Sequence, residues 1–125
     1  MINDLLRSIS TIYIAYGVTD FRKQINSLCN EVKNKFKLNP YSNAAFIFCN
    51  KKRNSIRVLC YDKNGFILAQ KTLLDKENMK FQWPKNLNEV KSITKEQLVW
   101  LLSGLKMYPE KYFKSVEISE EKMLI

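Results

Sequence analysis

The chain has no histidine, and that excludes more than any other feature of its composition. It removes the usual general base, the commonest metal ligand and most dyads that activate a nucleophile. Glycine is scarce as well, with three in 125 residues, so no glycine-rich phosphate loop can be built. The three cysteines, Cys29, Cys49 and Cys60, are an odd number at wide spacing. They fit neither a disulfide framework nor a zinc motif, and each lies in an apolar pattern that suits a buried thiol. No apolar run approaches the length of a membrane span. The first residues, Met1 to Arg7, lack the basic start, long apolar core and cleavage site of a secretory signal, so a cytoplasmic protein is expected.

Cations are what the chain has in excess. Its formal charge is +9, and the excess is uneven. Residues 1–71 hold 12 Lys/Arg against 4 Asp/Glu, whereas residues 72–125 hold 9 against 8. A basic half of this kind suits a polyanion partner. A chain in which 17 of 21 cations are Lys also carries a generic basicity that competes with this reading.

The residue pattern predicts one α+β domain over residues 1–107, with a tail over residues 108–125 that docks, binds a partner or stays unfolded. Residues 1–8 fit a frayed helical turn, and residues 10–16 fit a strand. Apolar residues at Phe21, Ile25, Leu28, Cys29, Val32 and Phe36 follow the period of an amphipathic helix over residues 21–36, ended by Asn39-Pro40. Ile25, Leu28, Val32 and Phe36 should be buried, with Lys33 and Lys37 exposed. Strands are expected at residues 44–49, 55–61 and 66–73, with a hairpin turn at Asp62-Lys63-Asn64-Gly65 whose Asn-Gly supplies positive φ. A fourth extended piece, residues 79–83, is closed by Pro84. Residues 85–91 read as a connector. Thr94 and Gln97 form a capping box for a last helix bearing Leu98, Val99, Leu101, Leu102 and Leu105, with Gly104 at its C-terminal end. The whole predicts a small, mostly antiparallel sheet packed against two amphipathic helices.

Two places carry candidate binding chemistry. In Gly17-Val18-Thr19-Asp20-Phe21-Arg22-Lys23, Gly17 permits a turn. Thr19 or Asp20 would then cap the following helix, with Arg22 and Lys23 at its positive end, an arrangement that suits a phosphate. The loop Lys51-Lys52-Arg53, with Arg57 on the strand after it, is the densest basic cluster. A hairpin tip with three cations can grip phosphates, and it can also be an ordinary solvated turn. Arg57 and Lys71 would make a cationic sheet face if they share one. Among the aromatic residues, Tyr41 and Tyr61 are the candidates for stacking on bases, whereas Trp83 and Trp100 read as packing. Asp20, Asp62 and Asp75 do not form the converging carboxylate set that metal-dependent phosphoryl transfer needs. No metal, cofactor or small-molecule substrate is implied, and the chain reads as a non-enzyme.

The same stretches carry a family resemblance. Gly17-Val18-Thr19-Asp20 with Arg22-Lys23, Pro40-Tyr41-Ser42-Asn43, Phe46-Ile47-Phe48, Lys51-Lys52-Arg53, Ile56-Arg57-Val58-Leu59, Tyr61-Asp62-Lys63-Asn64-Gly65-Phe66, Phe81-Gln82-Trp83-Pro84 and Leu98, Leu101, Leu102 and Gly104 occur in one order over residues 9–105. Together they resemble the TnpB-type accessory proteins of the insertion-sequence-66 group of bacterial transposons. Asn43 stands where the family has Gly, Gln24 where it usually has Gly, and Thr72-Leu73-Leu74 where it usually has Arg-Leu-Glu. The resemblance implies an accessory protein for transposition, with strand cleavage done by a separate transposase of the same element. Combined with the charge, it makes transposon-end DNA and the transposase the expected partners. Arg22, Lys23, Lys51, Lys52, Arg53 and Arg57 are then the expected phosphate contacts. A protein-only adaptor for the transposase and an RNA-binding module remain alternatives, and an enzyme is the weakest of them.

Overall fold

A computed structural model describes residues 2–75, 77–85 and 89–104 of the chain. The expected tail at 108–125, the end of the expected domain at 107 and the helix position Leu105 lie outside the described residues. Among the described residues five strands form one sheet: β1 (Thr11–Ala15), β2 (Ala44–Cys49), β3 (Ser55–Asp62), β4 (Gly65–Thr72) and β5 (Val90–Ile93). Their order is β4-β3-β2-β1-β5. Only β1 and β2 run parallel; the other neighbours are antiparallel. Among the described residues three α-helices accompany them: α1 (Ile2–Leu6), α2 (Ile25–Asn30) and α3 (Lys95–Leu102). The arrangement is α+β.

The central strand explains the layering. Every residue of β2, Ala-Ala-Phe-Ile-Phe-Cys, is buried, because both faces of the sheet are covered. On one face Phe46, Phe48 and Leu59 pack with Leu28 and Val32 of the α2 segment. On the other Ala45, Ile47, Ile56, Val58 and Cys60 meet Leu6, Phe81, Trp83, Leu98 and Leu101. Burying such side chains on both faces contributes about 1.5–3 kcal/mol for each large one.

The second helix is shorter than its apolar period suggests. It starts at Ile25 and passes into a π-helical turn, Glu31–Lys35, closed by the Phe36 N–H on the Glu31 carbonyl. Leu28 and Val32 are buried, Ile25 and Phe36 are half-buried, and Lys33 and Lys37 are exposed. Residues 21–24 stay out of the helix for a physical reason. The Arg57 guanidinium takes the Phe21 and Lys23 carbonyls at 2.9 and 3.1 Å. Asp20 meanwhile accepts the Arg22 N–H in a local turn. The helix cap is therefore Gln24, which makes no side-chain cap bond, and neither Thr19 nor Asp20 caps it. Lys37, at φ 57°, turns the chain away before Asn39-Pro40 is reached.

Four other details differ from the sequence pattern. Residues 79–83 are not a strand. Phe81 and Trp83 are buried plugs, held by the Phe81 N–H on the Arg53 carbonyl and the Trp83 indole N–H on the Ala15 carbonyl. A short strand, β5, forms instead at the end of the expected connector and pairs with β1, Ile12 opposite Ile93. In the β3–β4 hairpin Lys63 takes the positive φ, 52°, and Asn64-Gly65 does not. Asn43 does not adopt a left-handed backbone either; its amide donates to the Ser8 carbonyl at 3.1 Å. The Thr94–Gln97 capping box is present, and Gly104 follows the last helical turn at φ 82°.

Candidate nucleic-acid interface

One end of the sheet gathers the segments that matter. The turn after β1 reaches the loop between β2 and β3 through a parallel bridge, Thr19 with Asn50, and through the Thr19 N–H on the Cys49 carbonyl at 2.7 Å. Gly17, at φ 76°, needs the left-handed freedom of glycine, and its N–H donates to the Pro84 carbonyl at 2.7 Å. The Phe81 N–H donates to the Arg53 carbonyl at 2.7 Å. These contacts join three sequence segments into one surface.

The basic loop on this surface is ordered from inside. The Asn50 side-chain oxygen accepts the N–H groups of Asn54 and Ser55, both at 3.0 Å, and its amide donates to the Asn54 side chain at 2.7 Å. Asn54 and Ser55 are themselves buried. Arg53 takes a left-handed φ of 59°. Lys51 and Lys52 consequently stand exposed on a braced turn, with Arg53 half-exposed beside them. Among the described residues, no ion pair involves any of the three.

The other three expected contacts are placed differently. Arg22 is exposed but bound to Asp20: Nη2 lies 2.6 Å from Oδ2, and Nε bridges both carboxylate oxygens. That pairing holds the Asp20 carboxyl at about 2, below the ordinary 3.8, and raises Arg22. Lys23 reaches Glu31 at 3.2 Å, and Glu31 also takes Lys35 at 3.2 Å. Arg57 lies half-buried over the α2 face of the sheet, with Nε on Gln70 at 2.8 Å and its guanidinium 4.4 Å from the Phe21 ring centroid. Nor does it share a face with Lys71: Arg57 is opposite Gln70, whereas Lys71 is opposite Ile56. Tyr41 and Tyr61 pack with Phe66 at the other end of the sheet, ring centroids 5.2 to 5.3 Å apart.

A cleft of about 250 Å³ opens beside the basic loop, lined by Gly17, Val18, Arg53, Trp83, Pro84 and Lys85. Sequence reasoning missed Lys85 and Val18 as members of this surface. The signal was there in part, since Val18 lies inside the quoted Gly17–Lys23 stretch, with no role given to it, and Lys85 follows the quoted Pro84. Nothing in the sequence says that residues 17 and 85 meet. Among the described residues no group of three or more Cys, Asp or Glu could hold a metal ion. No helix among them is long and apolar enough to cross a membrane.

Comparison with known proteins gives the family. The family model described as IS66 Orf2 like protein matches residues 10–112. The uncharacterized protein y4hO of Sinorhizobium fredii is 33% identical over 94 residues, 75% of this chain and 79% of its own length. The uncharacterized protein y4jC of the same organism is 30% identical over 94 residues, 75% of this chain and 78% of its own. No solved structure matches. The chain belongs to the family of IS66 Orf2-like proteins, which associates it with transposition.

Proposed function

We propose that this protein is a non-catalytic accessory factor of transposition that binds the DNA backbone through its basic sheet end and helps assemble the transposase complex. The observation that carries the reading is the loop Lys51-Lys52-Arg53. Three adjacent cations stand on a turn braced by Asn50, unpaired with any carboxylate among the described residues. Phosphate contacts of this kind fix position without reading sequence. The +9 charge adds long-range attraction for a polyanion. Strand cleavage is left to the element's separate transposase, in the cytoplasm where the element's DNA lies.

Arg22, Lys23 and Arg57 take lesser parts in this reading. The first two would have to exchange carboxylate partners for phosphates, and Arg57 serves the fold. A second reading rests on the cleft, whose exposed Val18 and half-buried Pro84 suit an apolar side chain of a protein partner. On that reading the chain is an adaptor for the transposase and never touches DNA. The test is equilibrium binding of the purified chain to duplex DNA and to RNA over a salt series. Affinity for duplex DNA that falls steeply with salt supports the backbone-binding reading. A preference for RNA, or no binding to either at low salt, overturns it.

A further inference from the structure

The outer edge of β4 lacks a neighbouring strand among the described residues. Edges of this kind are ordinarily blunted by Pro, by bulges, by several lysines or by brevity. β4 has none of these. It is eight residues long, its register with β3 runs unbroken from Gly65 to Thr72, and its single charge is Lys71 near one end. Residues 65–69 are half-buried, with Phe66 and Leu68 packed toward the α2 side and Ile67 toward the α1–α3 side. Apolar surface therefore runs out to the open edge on both faces of the sheet.

The hydrogen-bonding direction of each residue follows from the hairpin. Asp62 and Gly65 close a two-residue turn, so they form a bonded pair, and bonded and non-bonded pairs alternate from there. Gly65, Ile67, Ala69 and Lys71 accordingly turn their N–H and C=O groups to β3. Phe66, Leu68 and Gln70 turn theirs outward.

We propose that this edge is a self-association surface, on which a second copy of the chain pairs antiparallel along residues 65–71 with Leu68 opposite Leu68 on the two-fold axis. The strand's own pattern supports a copy of itself as the occupant. In that register Phe66 faces Gln70, Ile67 faces Ala69 and Lys71 faces Gly65. Apolar residues meet apolar residues at the centre, and no like charges stand opposite each other. The two faces of the sheet also continue across the junction, because paired residues keep the same side. An antiparallel junction sets the two Lys51-Lys52-Arg53 loops at opposite ends of the joined strands, so the main basic clusters do not confront one another. The closed two-fold dimer is the commonest symmetric assembly. The proposal is independent of DNA binding.

The experiment is analytical ultracentrifugation of the nucleic-acid-free full chain, loaded over a concentration series from about 1 µM to several hundred µM. The parent should rise from the 14.8 kDa chain mass toward twice that value with concentration. Leu68→Pro removes an outward N–H and keeps the β3-facing bonds, so it should stay at the single-chain mass. Leu68→Lys and Leu68→Glu should each stay single alone, because like charges would meet on the axis. Mixed in equal amounts, they should recover the double mass. Circular dichroism checks each fold, and the Lys/Glu pair carries the test if the proline variant does not fold. A parent that keeps the single-chain mass throughout leaves the edge to another polypeptide and overturns the proposal. So does a Leu68→Lys variant that associates like the parent, or a mixture that stays single.

Discussion

Arg57 holds Phe21 from two directions at once. Its guanidinium lies 4.4 Å from the Phe21 ring centroid, and its Nη1 donates to the Phe21 carbonyl at 2.9 Å. This one side chain ties the turn before α2 to the middle of β3. A residue that reads as a phosphate contact in sequence is thus a brace in the fold.

Arg57→Ala should therefore cost stability. Charge-assisted hydrogen bonds of this kind contribute about 1.5–3 kcal/mol. For a domain of this size the loss should lower Tm by roughly 5–15 °C. Arg57→Lys should recover little, because an ammonium cannot span Gln70 and two backbone carbonyls in one plane. Calorimetry of both variants checks this. An unchanged Tm with weakened DNA binding would return Arg57 to the interface.

Trp83→Phe tests the plug beneath the cleft. The indole N–H donates to the Ala15 carbonyl at 2.8 Å in a buried site, and phenylalanine has no donor there. A loss of about 1–3 kcal/mol is expected from denaturant melts. Equal stability would show that the bond is replaced by another.

The Asp20–Arg22 pair should titrate low. The Arg22 hydrogen bonds hold the Asp20 carboxyl at about 2, against an ordinary 3.8. A depressed carboxyl supports the turn at pH above the unfolded value, and that support is lost as pH falls through about 2. Carboxyl NMR should show a midpoint near the lower figure, moving up toward the ordinary value in Arg22→Ala. A normal midpoint in the parent would mean that Arg22 is free for another anion.

The buried thiols should be inert. Burial pushes Cys49 up to about 12, against the pull of the Arg53 charge, and raises Cys60 as well, helped by the Asp62 carboxylate. In the folded protein at about pH 8 both should resist alkylation, reacting only in denaturant. Mass spectrometry of the alkylated chain reads this directly. Rapid native labelling of Cys49 would show that the basic loop opens.

The fold was legible where one period dominates. The all-apolar run of β2, the apolar-rich run of β3 and the Thr94–Gln97 box each have one physical reading, and the structure follows it. Residues 21–24 were misread because helix periodicity cannot register a distant arginine taking two backbone carbonyls. β5 was missed because it has only Val90 and Ile93 to mark it, and its pairing with β1 is long-range. At the candidate site the basic loop was visible as composition. Its bracing by Asn50 and its meeting with Gly17 and Lys85 depend on tertiary contacts that no local pattern carries.

The central claim is that Lys51, Lys52 and Arg53 hold DNA phosphates. The most direct measurement is duplex-DNA affinity over a salt series, for the parent and for the chain with all three replaced by Ala. Each phosphate contact contributes a log–log slope of about −0.9 on duplex DNA. The variant should bind more weakly at every salt concentration, for all sequences, with a slope shallower by roughly 2 to 3. Its fold should persist, because the Asn50 side chain and the backbone bonds that brace the loop remain. A folded variant that binds as tightly as the parent, with the same slope, would contradict the claim and leave the adaptor reading in its place.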